Sequence, residues 1–411
     1  MKNGERRRSV FRVLGFLLAV LAAAAAPVAQ DDRPRRANRV PPPLSSSVDR
    51  VYRGLVILAE FPDVPNRFER DVVVQRFNRG LNGYVQEMSY QKAGIQADVT
   101  ETWVRLPEPV ASYRISSRNL EVDRSRVRKL IDDALAAVEK RTDFKPYDFT
   151  VVLLGATLAD YGMIGLCGWP GMLGWTADAS LKTPGGQEVR GGVAIFCFQA
   201  HLGTFFHDVA HILGGVKNGK RGVPCLYDHD LQAKPGPQRE VFEAALVNLG
   251  FWDPLSCHYI ERQTPPPGIC SWTRLRLGWL DPAKVRQVRP GETAEVLLGP
   301  LEDGSSETLA VRIPLSATTS YLVENRQPIG FDRHLPGSGV LVLYADDTVA
   351  ECRHGKAPVR LVDADPKTPQ LKGAAFDLGK RDTFEDPEHA LKIRLAGKEG
   401  RSYRLLISPL K

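Results

Sequence analysis

His207 and His211 stand four residues apart, with Asp208 beside the first, in the stretch GTFFHDVAHILGG (203–215). On a helix, side chains at i and i+4 project from one face, so the two imidazoles can share a metal ion. Zinc hydrolases built on this spacing hold the ion with three protein ligands and keep a fourth position open. The acid after the first histidine then takes a proton from water. That acid is ordinarily glutamate; Asp208 is shorter by one carbon–carbon bond, about 1.5 Å. A reacting group misplaced by about 1 Å costs on the order of 100-fold in rate. The expectation is therefore an impaired general base, not an abolished one. The plain alternative is a core helix on which two histidines fall four apart by chance.

The elements that would position these groups can be read around them. Leu202, Phe205, Phe206, Val209, Ala210 and Leu213 form an apolar stripe at helical spacing, and Gly214 and Gly215 are a natural stop. RGLVILAEF (53–61), FTVVLLGA (149–156) and GGVAIFCFQ (191–199) read as buried strands; by analogy with zinc hydrolases of this kind the last would be the edge along which an extended peptide lies, its plain alternative being a core strand. VDRSRVRKLIDDALAAVEK is the clearest helix, with Val127, Leu130, Ile131, Ala134, Leu135 and Val138 on one face. The Gly- and Trp-rich GMIGLCGWPGMLGW reads as a loop whose Trp169 and Trp175 either shape a cleft or simply pack. From about residue 285 short β runs take over, among them TLAVRIPL, TSYLVENR and SYRLLIS. The class expected is α+β: a domain over 49–284 followed by a β-rich portion over 285–411.

The composition is globular, with 43% hydrophobic and 25% charged residues. The first 29 residues join a basic start to a short apolar run and a small-residue stretch, the pattern of an export signal. Arg7 and Arg8 loosely fit the twin-arginine variant, and the location expected is secreted or periplasmic. The apolar run falls short of the roughly 20 residues that span a bilayer, so no stable membrane span is expected once the signal is removed. Its removal takes five basic residues and one acidic residue and brings the formal net charge from +7 to +3, too little to argue for nucleic acid. Residues 30–48, rich in Pro, Arg and Ser, read as a disordered linker. Six cysteines in an exported chain can make three disulfides, and Cys257 with Cys270 is the pair most easily imagined closing a loop.

Several segments carry a resemblance to a known family. FFHDVAHILGG, GVPCLYDHD, LGFWDPLSC and SWTRLRLGWL occur in the order seen in the secreted zinc metallopeptidases of the immune inhibitor A family. There a His-Glu-x-x-His helix runs into Gly-Leu-Pro-Asp-Leu-Tyr-Asp, a Trp-Asp-x-Met turn and a Trp-x-x-x-x-Leu-Gly-Trp helix. LVILAEFPDVPNRF with YVQEMSYQKAGIQADVTETWVRLPEP, and YLVENRQPIGFDRHLPGSGVLVLYAD, extend the similarity to roughly residues 50–411. The resemblance implies a zincin-like fold, a bound Zn2+ and hydrolysis of peptide bonds in an extracellular protein or peptide substrate. The departures fall on the chemistry. Asp208 replaces the glutamate, Cys225 stands at the third ligand, GVKNGKRG is inserted before it, and Leu255 replaces the methionine of the turn. Either Cys225 is the third ligand or it is bridged to another cysteine, with Asp228, His229 and Asp230 as nearby substitutes for the metal. His201 and His258 are read as surface or core histidines. The reading from a different class is a pseudopeptidase that keeps the fold as an extracellular peptide-binding or adhesion module.

Overall fold

The computed structural model describes residues 49–115, 122–174, 181–236, 238–379 and 381–410. The expected signal, the linker and Trp175 lie outside these. Among the described residues no helix is long and apolar enough to cross a membrane.

The first sheet is built from runs of β-branched and apolar residues that are buried on both faces. β1 (Arg50–Glu60) pairs in parallel with β2 (Ala93–Val99), β3 (Val104–Arg105) and β4 (Phe149–Leu154). β4 in turn pairs in parallel with β6 (Val193–Cys197), and β6 pairs antiparallel with β5 (Gly165–Trp169). The strand order β2-β1-β4-β6-β5 corrects one expectation: β6 is flanked on both sides, and the free edge is β5. Its sequence GLCGW reads as loop because glycine disfavours strands. The packing explains the glycines, since a Cβ on Gly165 would lie 2.7 Å from the Phe196 ring and one on Gly168 would lie 2.6 Å from Ile131. Only a bare backbone lets this strand sit so close to its neighbours.

Helix α1 (Arg124–Val138) is capped by Asp123, whose carboxylate accepts from the amides of Ser125 and Arg126. It buries the six apolar residues expected from its spacing. Across the sheet, helix α2 (Leu202–Gly214) carries both motif histidines and is buried along almost its whole length. Three consecutive helical segments follow β1, Arg70–Gln75, Arg76–Leu81 with a π turn, and Asn82–Met88. Arg76 reaches from it to the carbonyls of Phe198 and Ala200, pinning the chain between β6 and α2.

The later β runs all form strands. β7 (Val285–Gln287), β9 (Ala310–Pro314), β10 (Thr319–Arg326), β11 (Gly339–Asp346) and β12 (Val359–Leu361) make one sheet in that order. β8 (Ala294–Leu298), β15 (Ser402–Pro409), β14 (Leu391–Glu399) and β13 (Thr383–Asp386) make a second, antiparallel one. Alternation decides what each face meets. Val340 and Val342 of β11 share an apolar core with β8, β14 and β15, whereas Leu341, Leu343 and Ala345 pack into the core that also holds α2 and β1. Residues Pro43–Lys411 accordingly form one compact unit, and the change of texture near 285 marks a change of sheet type inside it. The architecture is mixed α and β, with several sheets and few helices, consistent with the α+β class expected.

Strand β10 turns Leu322, Glu324 and Arg326 toward the α2 side, and the charged pair anchors a buried network. Arg326, fully buried, grips both oxygens of Asp332 at 2.6 and 2.7 Å and contacts Glu324 at 3.1 Å. It also donates to the carbonyls of Trp252 and Gly268. Arg274, in helix α4 (Ser271–Arg276), pairs with Glu302 at 2.5 Å. Desolvation of Glu302 pushes its carboxyl up to about 8. Buried charges of this kind are costly to orphan: Arg326→Met should destabilise the fold by about 3–5 kcal/mol, seen as a lowered urea midpoint. A midpoint unchanged from wild type would show that the carboxylates find other compensation.

Candidate metal centre

Two backbone carbonyls orient the motif histidines. Nδ1 of His207 donates to the Pro254 carbonyl at 2.9 Å, and Nδ1 of His211 donates to the Val223 carbonyl at 2.6 Å. A carbonyl only accepts, so each Nδ1 carries the proton and each Nε2 presents a lone pair. The rings meet edge to face with centroids 4.7 Å apart. Cys225 closes the triangle, its Sγ 3.5 Å from Nε2 of His207 and 3.4 Å from Nε2 of His211. All three residues are buried, and their donor atoms lie within 4.8 Å of one another. Bonds of about 2.3 Å to sulfur and about 2.0–2.1 Å to nitrogen at the tetrahedral angle place such donors about 3.6 Å apart. The residues present therefore fit a tetrahedral metal with one position left over.

Electrostatics around the sulfur favour the form a metal needs. Although burial opposes ionisation, His211, Arg221 and His207 together hold the Cys225 thiol well below its usual value. Burial presses His207 toward neutrality, but the adjacent sulfur outweighs it and carries the ring above its usual value; burial prevails at His211, which is lowered. Protons shared in such a cluster are those that a cation displaces on binding.

No disulfide competes for this sulfur, since none of the six buried cysteines is bridged to another. That corrects the expected framework: the Cys257 thiol points to the Tyr259 carbonyl at 3.2 Å and Cys270 meets Thr273 Oγ1 at 3.4 Å.

Asp228 stands apart from the donor group. One of its oxygens accepts from the amides of Asp230 and Leu231 at 2.9 and 3.0 Å, capping the short helix α3 (His229–Gln232), and the other accepts from Gly355 at 3.2 Å. Capping consumes the lone pairs that a metal would use. Asp230 is likewise engaged, with Arg353 and the amide of His354. Asp208 lies outside the three-donor group but is buried and lines the same cleft. Burial pushes this carboxyl up to about 7, with Cys225 adding to the rise and His207 opposing it. His201 caps α2, Nδ1 accepting from the Gly203 amide and Nε2 donating to the Thr264 carbonyl. His258 packs its ring 4.5 Å from that of His207, and its buried Nε2 has no partner.

The inserted GVKNGKRG segment is a two-stranded hairpin, Val216–Lys217 against Lys220–Arg221. Its turn residues Asn218 and Gly219 have φ of 52° and 69°, the positive values a tight hairpin turn requires. The hairpin delivers buried Arg221, whose Nη2 lies 3.9 Å from Cys225 Sγ. Glu351, which follows β11, clamps that guanidinium at 2.9 and 2.7 Å. Tyr227 and His229 line the same cleft, with His229 Nε2 3.7 Å from Glu351. None of Arg221, Tyr227 and Glu351 stands out by motif spacing, and Glu351 is 126 residues from Cys225 along the chain, beyond any local pattern.

These groups lie in a cleft of about 550 Å³ that runs past β5, with Met172, Phe242 and Ile260 among its apolar lining. No protein-family model and no curated protein matches the sequence.

Thiol titration in denaturant with chelator and no reductant should count six thiols per chain. A count of four would place one disulfide in the folded protein.

Proposed function

We propose that the protein is a zincin-like zinc metallopeptidase, akin to the immune inhibitor A family, exported by its N-terminal signal and acting on extracellular proteins or peptides. The observation that carries this reading is the spacing of the Nε2 atoms of His207 and His211 and the Sγ of Cys225, three donors at near-tetrahedral separation on the wall of a cleft. Zinc bound there supplies a Lewis acid that polarises a peptide carbonyl and the water that attacks it. The protein's own residues do the rest. His207 and His211 are held in register by the carbonyls of Pro254 and Val223. Asp208 serves as the general base, buried beside the first ligand. The free edge of β5 offers main-chain hydrogen bonds to an extended substrate.

A second reading, a pseudopeptidase that binds peptides without cleaving them, rests on Asp208 itself. Its carboxylate is one bond shorter than glutamate, and burial holds the carboxyl up at about 7.

Metal analysis of the purified protein, with casein cleavage assayed beside it, tests both. About one zinc per chain, lost in His207→Ala, with chelator-sensitive cleavage is the expected result. Asp208→Glu should raise the rate by about 10- to 100-fold if reach limits the base. Bound zinc without cleavage in wild type or Asp208→Glu would sink the peptidase reading and leave the binding module. An absence of zinc would sink the metal centre itself.

A further inference from the structure

We propose that Arg221, held by Glu351, is a positioning residue that draws charge off the Cys225 sulfur and so restores to a His2Cys metal centre the electrophilic strength that a thiolate ligand takes away. The inference rests on the metal reading above and adds a role that the motif does not contain.

The problem it answers is chemical. A thiolate is a better electron donor to zinc than a carboxylate, so replacing a carboxylate ligand by cysteine weakens the metal as a Lewis acid. Partners outside the ligand set can offset such a change by hydrogen-bonding the ligand atom. Here the offset is built from three separated parts of the chain. The hairpin places the Arg221 guanidinium 3.9 Å from the sulfur. Arginine stays charged even when buried, and its planar fork accepts a carboxylate in two-pronged fashion, which fixes where the remaining N–H points. Glu351 is that carboxylate, with contacts of 2.9 and 2.7 Å, and both side chains are largely buried at 6% and 13% exposure. The pair is a fixed dipole whose positive end faces Cys225. A purely structural ion pair has no need to aim its guanidinium at a metal-binding thiolate. The insertion that brings Arg221 and the exchange that brings Cys225 are thus two halves of one arrangement.

The test is the thiolate-to-metal charge-transfer band of the Co2+-substituted protein, read in the near ultraviolet together with zinc affinity and peptidase rate. Arg221→Met combined with Glu351→Gln removes the dipole and leaves neither member of the pair as an unmatched charge, while the amide oxygen at 351 still offers an acceptor to His229, 3.7 Å from Glu351 in the wild type. The expected result is a band shifted to lower energy and zinc bound no more weakly than in wild type. Where cleavage is present, it falls about 10- to 100-fold in kcat/KM. Arg221→Lys, which keeps the charge, and Glu351→Gln alone, which keeps the guanidinium but loosens it, should fall between wild type and the double variant. They also serve if the double variant fails to fold.

A stoichiometric Co2+ complex whose band is the same in all four proteins would overturn the proposal, as would loss of rate and metal affinity together, the mark of simple structural damage. No charge-transfer band in wild type would remove Cys225 from the ligand set and take this proposal with it. A shifted band without hydrolysis in any variant would sustain the positioning role while the peptidase reading fails.

Discussion

The hydrogen bonds from His207 to the Pro254 carbonyl and from His211 to the Val223 carbonyl are the constraint on which the centre depends. Helical spacing puts the two rings on one face but leaves χ2 and the tautomer undecided, and a lone pair turned the wrong way binds nothing. Both acceptors come from loops, so each loop must be held as firmly as the helix. The turn at Trp252–Leu255 is fixed by Asp253, whose carboxylate takes the amides of Leu255 and Cys270 and the hydroxyl of Thr273. Behind it stand Arg326 and Asp332, which tie the Trp252 carbonyl to β10. The later β portion is thereby a structural support for the centre. A buried charged network is an expensive support, because each ion must be fully partnered to offset its desolvation.

On the opposite side the hairpin carries the second acceptor. Val223 follows Arg221 by two residues, so the segment that orients His211 also brings a cation to the sulfur. A buried thiol, a hairpin and an acid that follows β11 are thereby linked, since Arg221 reaches the Cys225 sulfur and is held in turn by Glu351. Asp208 is the part without such compensation. It is buried and lines the cleft, and burial pushes its carboxyl up to about 7.

Much of the fold was legible from pattern alone. The six buried positions of α1 are the six apolar residues at its helical spacing, and every later β run became a strand. Hydrophobic periodicity succeeds there because one face of each element meets a core. It failed at β5, where glycines were required by close packing against Phe196 and Ile131. Cysteine count is no better a guide, since exported chains often bridge theirs whereas here all six are buried and none is bridged to another.

By itself the sequence determined the pairing of His207 with His211 and the helix that carries them, since both follow from a period of 3.6 residues. It also named Cys225 as one candidate among several. Only the tertiary structure decided among them, by bringing Cys225 to 3.4–3.5 Å from both imidazoles and by spending Asp228 on a helix cap. Only it could join Arg221 and Glu351, 130 positions apart, to the sulfur. The reason is physical: local spacing governs what one element presents, whereas contacts between elements depend on how separate cores pack.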